Sequence, residues 1–123
     1  MADHEPLVSI VTVNYDGRRH LEALLPSLLA LDYPPGRREI LVVDNGSTDG
    51  SQEMLRTRFP AVRLIQNDVN VGLGRASNQG IEATTAPYIL LLNNDTIVNR
   101  DSLDALIDFM IATPDAGRWE ASS

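Results

Sequence analysis

Cysteine is absent from this chain of 123 residues, which excludes disulfides and thiolate metal sites and fits a reducing compartment. Lysine is absent as well. All 10 basic residues are arginine, which removes mechanisms that need an ammonium group, such as a P-loop lysine or a Schiff base. With a formal net charge of -7, the chain lacks the basic face that releases counterions from phosphate, so no nucleic-acid partner is expected. Any anionic ligand must be held by local groups or by a metal. No stretch approaches the ~20 apolar residues of a spanning helix, and "MADHEPLVSIV" has no basic n-region before an apolar run. Neither a membrane anchor nor an export signal is expected from these residues. Internal repeats and low-complexity segments are missing too.

What is present is a globular composition, 43% hydrophobic and evenly spread, in a chain long enough for one domain at most. Apolar runs alternate with helical stripes. "LVSIVTVN", residues 7–14, is β-branched and almost continuously apolar, as a strand covered on both faces should be. Leucines at 21, 24, 25, 28 and 29 mark a helix over 19–31, with a kink or restart expected at Pro26 because proline lacks the amide hydrogen. "EILVVD", 39–44, is a second buried strand. Asp49 and Gln52 have capping-box spacing, predicting a helix over 50–58. "VRLIQN" is a third strand, 75–83 a helix and "YILLL" a fourth strand. Leu103, Leu106, Ile107, Met110 and Ile111 form the stripe of a last helix that Asp101 can cap.

This alternation predicts a three-layer α/β sandwich with a mostly parallel, Rossmann-like sheet joined by right-handed crossovers. In such sheets ligands sit beyond the carboxyl ends of the strands, where strand order reverses. Three strands exit into polar segments: "NYDGR", "DNGSTDG" and "NNDT". Their convergence on one edge explains why an apolar strand delivers Asn93, Asn94 and Asp95 side by side. "GLGRAS" invites a dinucleotide-binding reading through Gly72 and Gly74, but Ser77 stands at the third small position and the turn is not the first in the chain. His4 and His20 have no metal-ligand spacing and read as surface residues.

The blocks "VSIVTVNYDGRRHLEALLPSLLALDYP", "EILVVDNGSTDGSQEMLRTRFP", "VRLIQNDVNVGLGRASNQGIEAT" and "YILLLNNDTIV" resemble, in order and spacing, the amino-terminal half of family 2 glycosyltransferases of the GT-A fold, most of all the rhamnosyltransferase-like branch. The likeness covers roughly 7–115, leaving 1–6 as an N-terminal tail and 116–123, "GRWEASS" with its preceding residue, as an atypical C-terminal tail. It implies an enzyme that transfers a sugar from a nucleotide diphosphate donor to a hydroxyl of a saccharide or lipid-linked acceptor. Inversion at the anomeric carbon and help from Mg²⁺ or Mn²⁺ are implied as well.

By that resemblance Asp95 is the metal ligand, and Asn93 stands where an acidic residue is usual, as an outer contact to metal or sugar. Asp44 maps to a nucleoside-binding aspartate. Val13, Asn14 and Tyr15 map to the first nucleotide-contacting strand end, Asn45, Asn93 and Asn94 beside the key carboxylates count with them as nucleotide-binding residues, and Arg75 faces the nucleotide or its phosphates. Each has a plainer reading: Asp95 and Asp44 as turn residues, Tyr15 as a packing ring, Arg75 as a solvated cation. The general base that an inverting displacement requires is expected in a second half beyond these residues, so a fragment with little activity of its own is expected. The implied location is cytoplasmic, peripheral at the inner membrane face, because nucleotide sugars are cytoplasmic. A receiver-type signalling domain shares the alternation but requires an acidic pair after its first strand and a lysine after its last. A non-catalytic nucleotide-binding module or degenerate remnant is the alternative to an enzyme.

Overall fold

A computed structural model describes residues 7–31, 35–95 and 118–121. Five strands run in order β1 (Val8–Asn14), β2 (Arg38–Asp44), β3 (Arg63–Gln66), β4 (Tyr88–Asn93) and β5 (Arg118–Ala121). The helices are α1 (Arg18–Leu29), α2 (Ser51–Arg58) and α3 (Leu73–Glu82). All strand pairs are parallel and the spatial order is β3-β2-β1-β4-β5. The chain therefore builds outward from β1 to β3, then returns past β1 to β4. The reversal lies between β1 and β4, whose register pairs Val13 with Asn93.

Strand alternation sorts the core into two layers. Val8, Ile10, Ile40, Val42, Leu90 and Leu92 point to the face covered by α1 and α2, where Leu21, Leu24, Leu25, Leu28, Met54 and Leu55 meet them. Val11, Leu41, Val43 and Ile89 point to the other face, which α3 covers with Ala76. Of the leucine stripe of α1, Leu21, Leu24, Leu25 and Leu28 are buried while Leu29 stays exposed, and each buried side chain contributes about 1.5–3 kcal/mol by leaving water. Layer thickness differs because α3 lies closer: a Cβ on Gly80 would come within 2.5 Å of Val11 Cγ1 and 3.3 Å of Val43 Cγ2. Only glycine allows that approach.

Three expectations change. Helix α1 runs through Pro26 without restarting; Pro26 is on its exposed side, where water can serve the carbonyl that loses its partner. The capping box does not close, because Gln52 Nε2 reaches Asp44 Oδ2 at 2.6 Å instead. Asp49 does cap, and twice: Oδ1 accepts Ser51 N at 3.0 Å in α2, and Oδ2 accepts Arg18 N at 3.0 Å in α1. Residues 118–121, read as part of an atypical tail, form a strand in register with β4, Leu90 opposite Trp119. The proposed last helix over 103–111 lies outside the described residues.

Candidate functional site

The expected convergence is met at the carboxyl ends of β2, β1 and β4. Asp44 and Asp95 do not leave neighbouring strands, since β1 stands between β2 and β4. Nor do they share one hollow. A cavity of about 570 Å³ lies on the α3 side at the reversal, lined by Val13 and Leu91 from the strands, Ser77 and Asn78 from α3, and Asn93, Asn94 and Asp95. That volume falls within the range of small-molecule sites. Asp44 does not line it.

Asp44 is 0% exposed, and its two oxygens accept four donors. Asn14 Nδ2 (2.9 Å) and Ser47 Oγ (2.7 Å) donate to Oδ1; Ser47 N (2.9 Å) and Gln52 Nε2 (2.6 Å) donate to Oδ2. A carboxylate has about four lone-pair sites, so this one is fully used. Asn45, 2% exposed, is equally committed. Its Oδ1 accepts Asn67 Nδ2 and Val71 N, and its Nδ2 donates to Asn70 Oδ1 and Gly72 O. Asn67 in turn exchanges two hydrogen bonds with Gln79 of α3. The side chains of Asp44 and Asn45 are thus not available as nucleoside ligands in this conformation; they lock the 67–72 loop and the 45–50 loop in place. Asn14 is also fully buried, donating to Asp44 and Ser47 and accepting from Asn94 Nδ2 at 3.0 Å.

Tyr15 is 54% exposed, so it is not a packing ring. It opens a loop tied to the exit of β2: Asp16 N donates to Ser47 Oγ, and Asp16 Oδ1 accepts Thr48 N. Asp16 holds a positive φ of 51°, a strain that aspartate tolerates better than most residues. Arg75 is exposed and absent from the cavity lining. The reason is helical phase. Leu73, Gly74, Ser77, Asn78 and Ile81 recur at three- and four-residue steps and line the cavity, and position 75 falls off that stripe. The same phase would have found Ser77 and Asn78, which sequence reasoning missed.

Oxygen donors dominate the cavity mouth. Asp95 brings the carboxylate, with the amides of Asn93 and Asn94 beside it, and among the described residues no group of three His, Cys, Asp or Glu side chains gathers. Such a set suits a hard divalent cation that takes its remaining ligands from phosphate and water, and it does not suit a closed structural site.

The fold, the reversal point and this donor set agree with the comparisons. The Glycosyl transferase family 2 profile matches residues 9–119, and the chain belongs to that family. It is 34% identical, over 90% of its length, to the N-acetylglucosaminyl-diphospho-decaprenol L-rhamnosyltransferase of Mycobacterium tuberculosis, covering 39% of that protein. It is 31% identical over 93 residues, 73% of this chain, to glycosyltransferase AglE of Haloferax volcanii, covering 31% of it. The chain therefore spans well under half the length of these relatives. Among solved structures, the mannosyltransferase PcManGT from Pyrobaculum calidifontis, in complex with GDP-Man and Mn²⁺, superposes with a TM-score of 0.80 at 25% identity over 85% of this chain and 32% of that one. S. aureus TarS 1-349 in complex with UDP superposes with a TM-score of 0.79 at 23% identity, covering 86% of this chain and 32% of that one, a likeness of fold. The GT-A fold and glycosyltransferase class expected from the sequence are met. No described helix is long and apolar enough to cross a membrane.

Proposed function

We propose that this chain is the donor-binding part of a glycosyltransferase, holding a nucleotide diphosphate sugar with Mg²⁺ or Mn²⁺ in the cavity between α3 and the ends of β1 and β4. The observation that carries this reading is the cavity itself, about 570 Å³ at the point of strand reversal with Asp95 at its mouth. Asp95 holds the cation, Asn93 supplies an amide oxygen beside it, and the exposed ring of Tyr15 is offered to the base. When bound, the cation neutralises charge that builds on the leaving phosphate. Asp44, Asn14 and Asn45 contribute through the loops they fix, with backbone groups at 13–15 making the nucleoside contacts.

The complete enzyme transfers the sugar with inversion to a saccharide or lipid-linked hydroxyl, using a general base outside this stretch of sequence. It does so in the cytoplasm at the inner membrane face, where donors of this class are made. The 123-residue chain alone binds donor and turns over little.

Calorimetry with uridine and deoxythymidine diphosphates, with and without Mn²⁺, tests the reading. Metal-dependent binding of at least one, lost in Asp95→Ala, is the expected result. Absence of binding by both would leave a degenerate remnant, and binding indifferent to metal would leave a nucleotide-binding module without the chemistry.

A further inference from the structure

Gln52 of α2 and three side chains at the strand exits form an unbroken line. Gln52 donates to Asp44, Asn14 Nδ2 donates to Asp44 Oδ1 at 2.9 Å, and Asn94 Nδ2 donates to Asn14 Oδ1 at 3.0 Å. The line has a direction, and charge sets it. An ionised carboxylate only accepts hydrogen bonds, so Asn14 must turn its amino group toward Asp44. Its oxygen is then left for Asn94. Asn14 is wholly buried, so it has no water to serve it in the reversed orientation. Backbone geometry keeps the last link short: Gly17 leaves room for the Asn14–Asn94 pair, and a Cβ there would overlap Asn94 Nδ2 and come within 2.6 Å of Asn14 Oδ1.

We propose that Asp44 is a positioning residue for the cation end of the site: its charge orients the Asn14 amide, Asn14 anchors Asn94, and Asn94 holds the adjoining Asp95 at the cavity mouth. Asp44 then serves the metal side of the site from two strands away. This rests on the cavity being a cation-dependent donor site. It adds that the exit of β2 and the exit of β4 act as one unit.

A polarity swap tests it. Asp44→Asn removes the charge that sets direction. Asn14→Asp places two carboxylates where a 2.9 Å hydrogen bond now stands. The double variant Asp44→Asn, Asn14→Asp restores an acceptor facing Asn94 and a donor–acceptor pair between 44 and 14. For each chain, uridine diphosphate is titrated with and without Mn²⁺, and thermal unfolding is recorded alongside. Each single change is expected to cut the Mn²⁺-dependent gain in affinity about tenfold, a usual size for coupling between sites, and to change metal-free affinity less. The swap is expected to recover most of the gain. Asn94→Ala cuts the final link while leaving the four donors to Asp44 present; it too is expected to lose the gain.

A swap no better than the single changes, or metal-free and metal-dependent affinity falling together with Tm, would overturn the proposal, as would Asn94→Ala keeping the full gain. Should the unaltered chain show no Mn²⁺ dependence, the donor-site reading fails separately. The line is then judged in the free chain by the side-chain amide resonances of Asn14 and Asn94. Loss of Asn94 protection from exchange in Asp44→Asn supports the positioning role, and unchanged protection rejects it.

Discussion

At the carboxyl edge of the sheet, Asp44 is held by four neutral donors, whereas at the amino edge Glu39 faces the guanidinium of Arg63 at 2.7 Å and accepts Ser9 Oγ at 2.6 Å. Ser9 also pairs with Thr84 Oγ1, and Arg63 reaches the carbonyl of Ala83, so the end of α3 is tied down there. One edge neutralises its charge and the other keeps it. A carboxylate solvated by dipoles retains its full negative field, which favours a divalent cation and disfavours a bare diphosphate. The amino edge, by contrast, is arranged for structure: its ion pair closes the bottom of β1, β2 and β3. The lesson is that two polar clusters of similar make-up differ in purpose according to whether a cation is built in.

The sharpest way to break this contrast is Asp44→Ala, which strands donors from buried Asn14 and from half-buried Ser47 and Gln52. Its expected cost is about 4 kcal/mol, read as the shift in urea unfolding free energy. A loss under ~1 kcal/mol would mean that water substitutes easily and that the carboxyl edge is not preorganised. Next in size is Gly17→Ala, where the added carbon must displace the Asn14–Asn94 pair, at an expected cost of about 2 kcal/mol in the same measurement.

Acid titration tests the amino edge. Burial alone would raise the pKa of Glu39, but the hydrogen bonds from Ser9, Arg63 and Thr84 and the charge of Arg63 outweigh it and leave the value below the ordinary 4.5. Asp49 is likewise lowered from 3.8, its burial outweighed by bonds from Ser51 and the Arg18 amide. For a depressed carboxylate the unfolded chain binds protons first as pH falls. The stabilisation is therefore complete above the unfolded values and is lost as pH drops through the folded ones. Glu39→Gln is expected to cost about 1 kcal/mol at pH 7 and to flatten the fall in urea midpoint below pH 4.5. An acid limb as steep as the parent's would remove Glu39 from the account.

Smallest are two changes away from both clusters. Thr12 Oγ1 is buried without a hydrogen-bond partner among the described residues, so Thr12→Val is expected to stabilise by about 1 kcal/mol. Arg75→Ala should leave stability within about 0.5 kcal/mol and nucleotide affinity unchanged. A tenfold affinity loss would return Arg75 to the site.

Much of this was readable from the chain. The apolar runs gave four strands within one residue at most of their ends, and the polar exits pointed to the right edge of the sheet. Asn93 at the end of β4 and Asp95 beyond it were picked out by position, and both line the cavity. The roles at β2 were not readable, because an Asp-Asn pair before a Gly looks the same whether its oxygens face a ligand or four internal donors. The place of Arg75 off the cavity lining was not readable either, because a cation beside a glycine-rich turn looks like a phosphate ligand until helical phase is known.

By itself, the sequence determined the alternation of elements, and with it the parallel sheet and the family, because apolar period and turn chemistry are local properties. Only the tertiary structure decided which polar side chains are spent inside. That depends on strand order: with β1 inserted between β2 and β4, Asn14 bridges Asp44 to Asn94, and the two aspartates take separate places, one buried and saturated, the other at an open cavity.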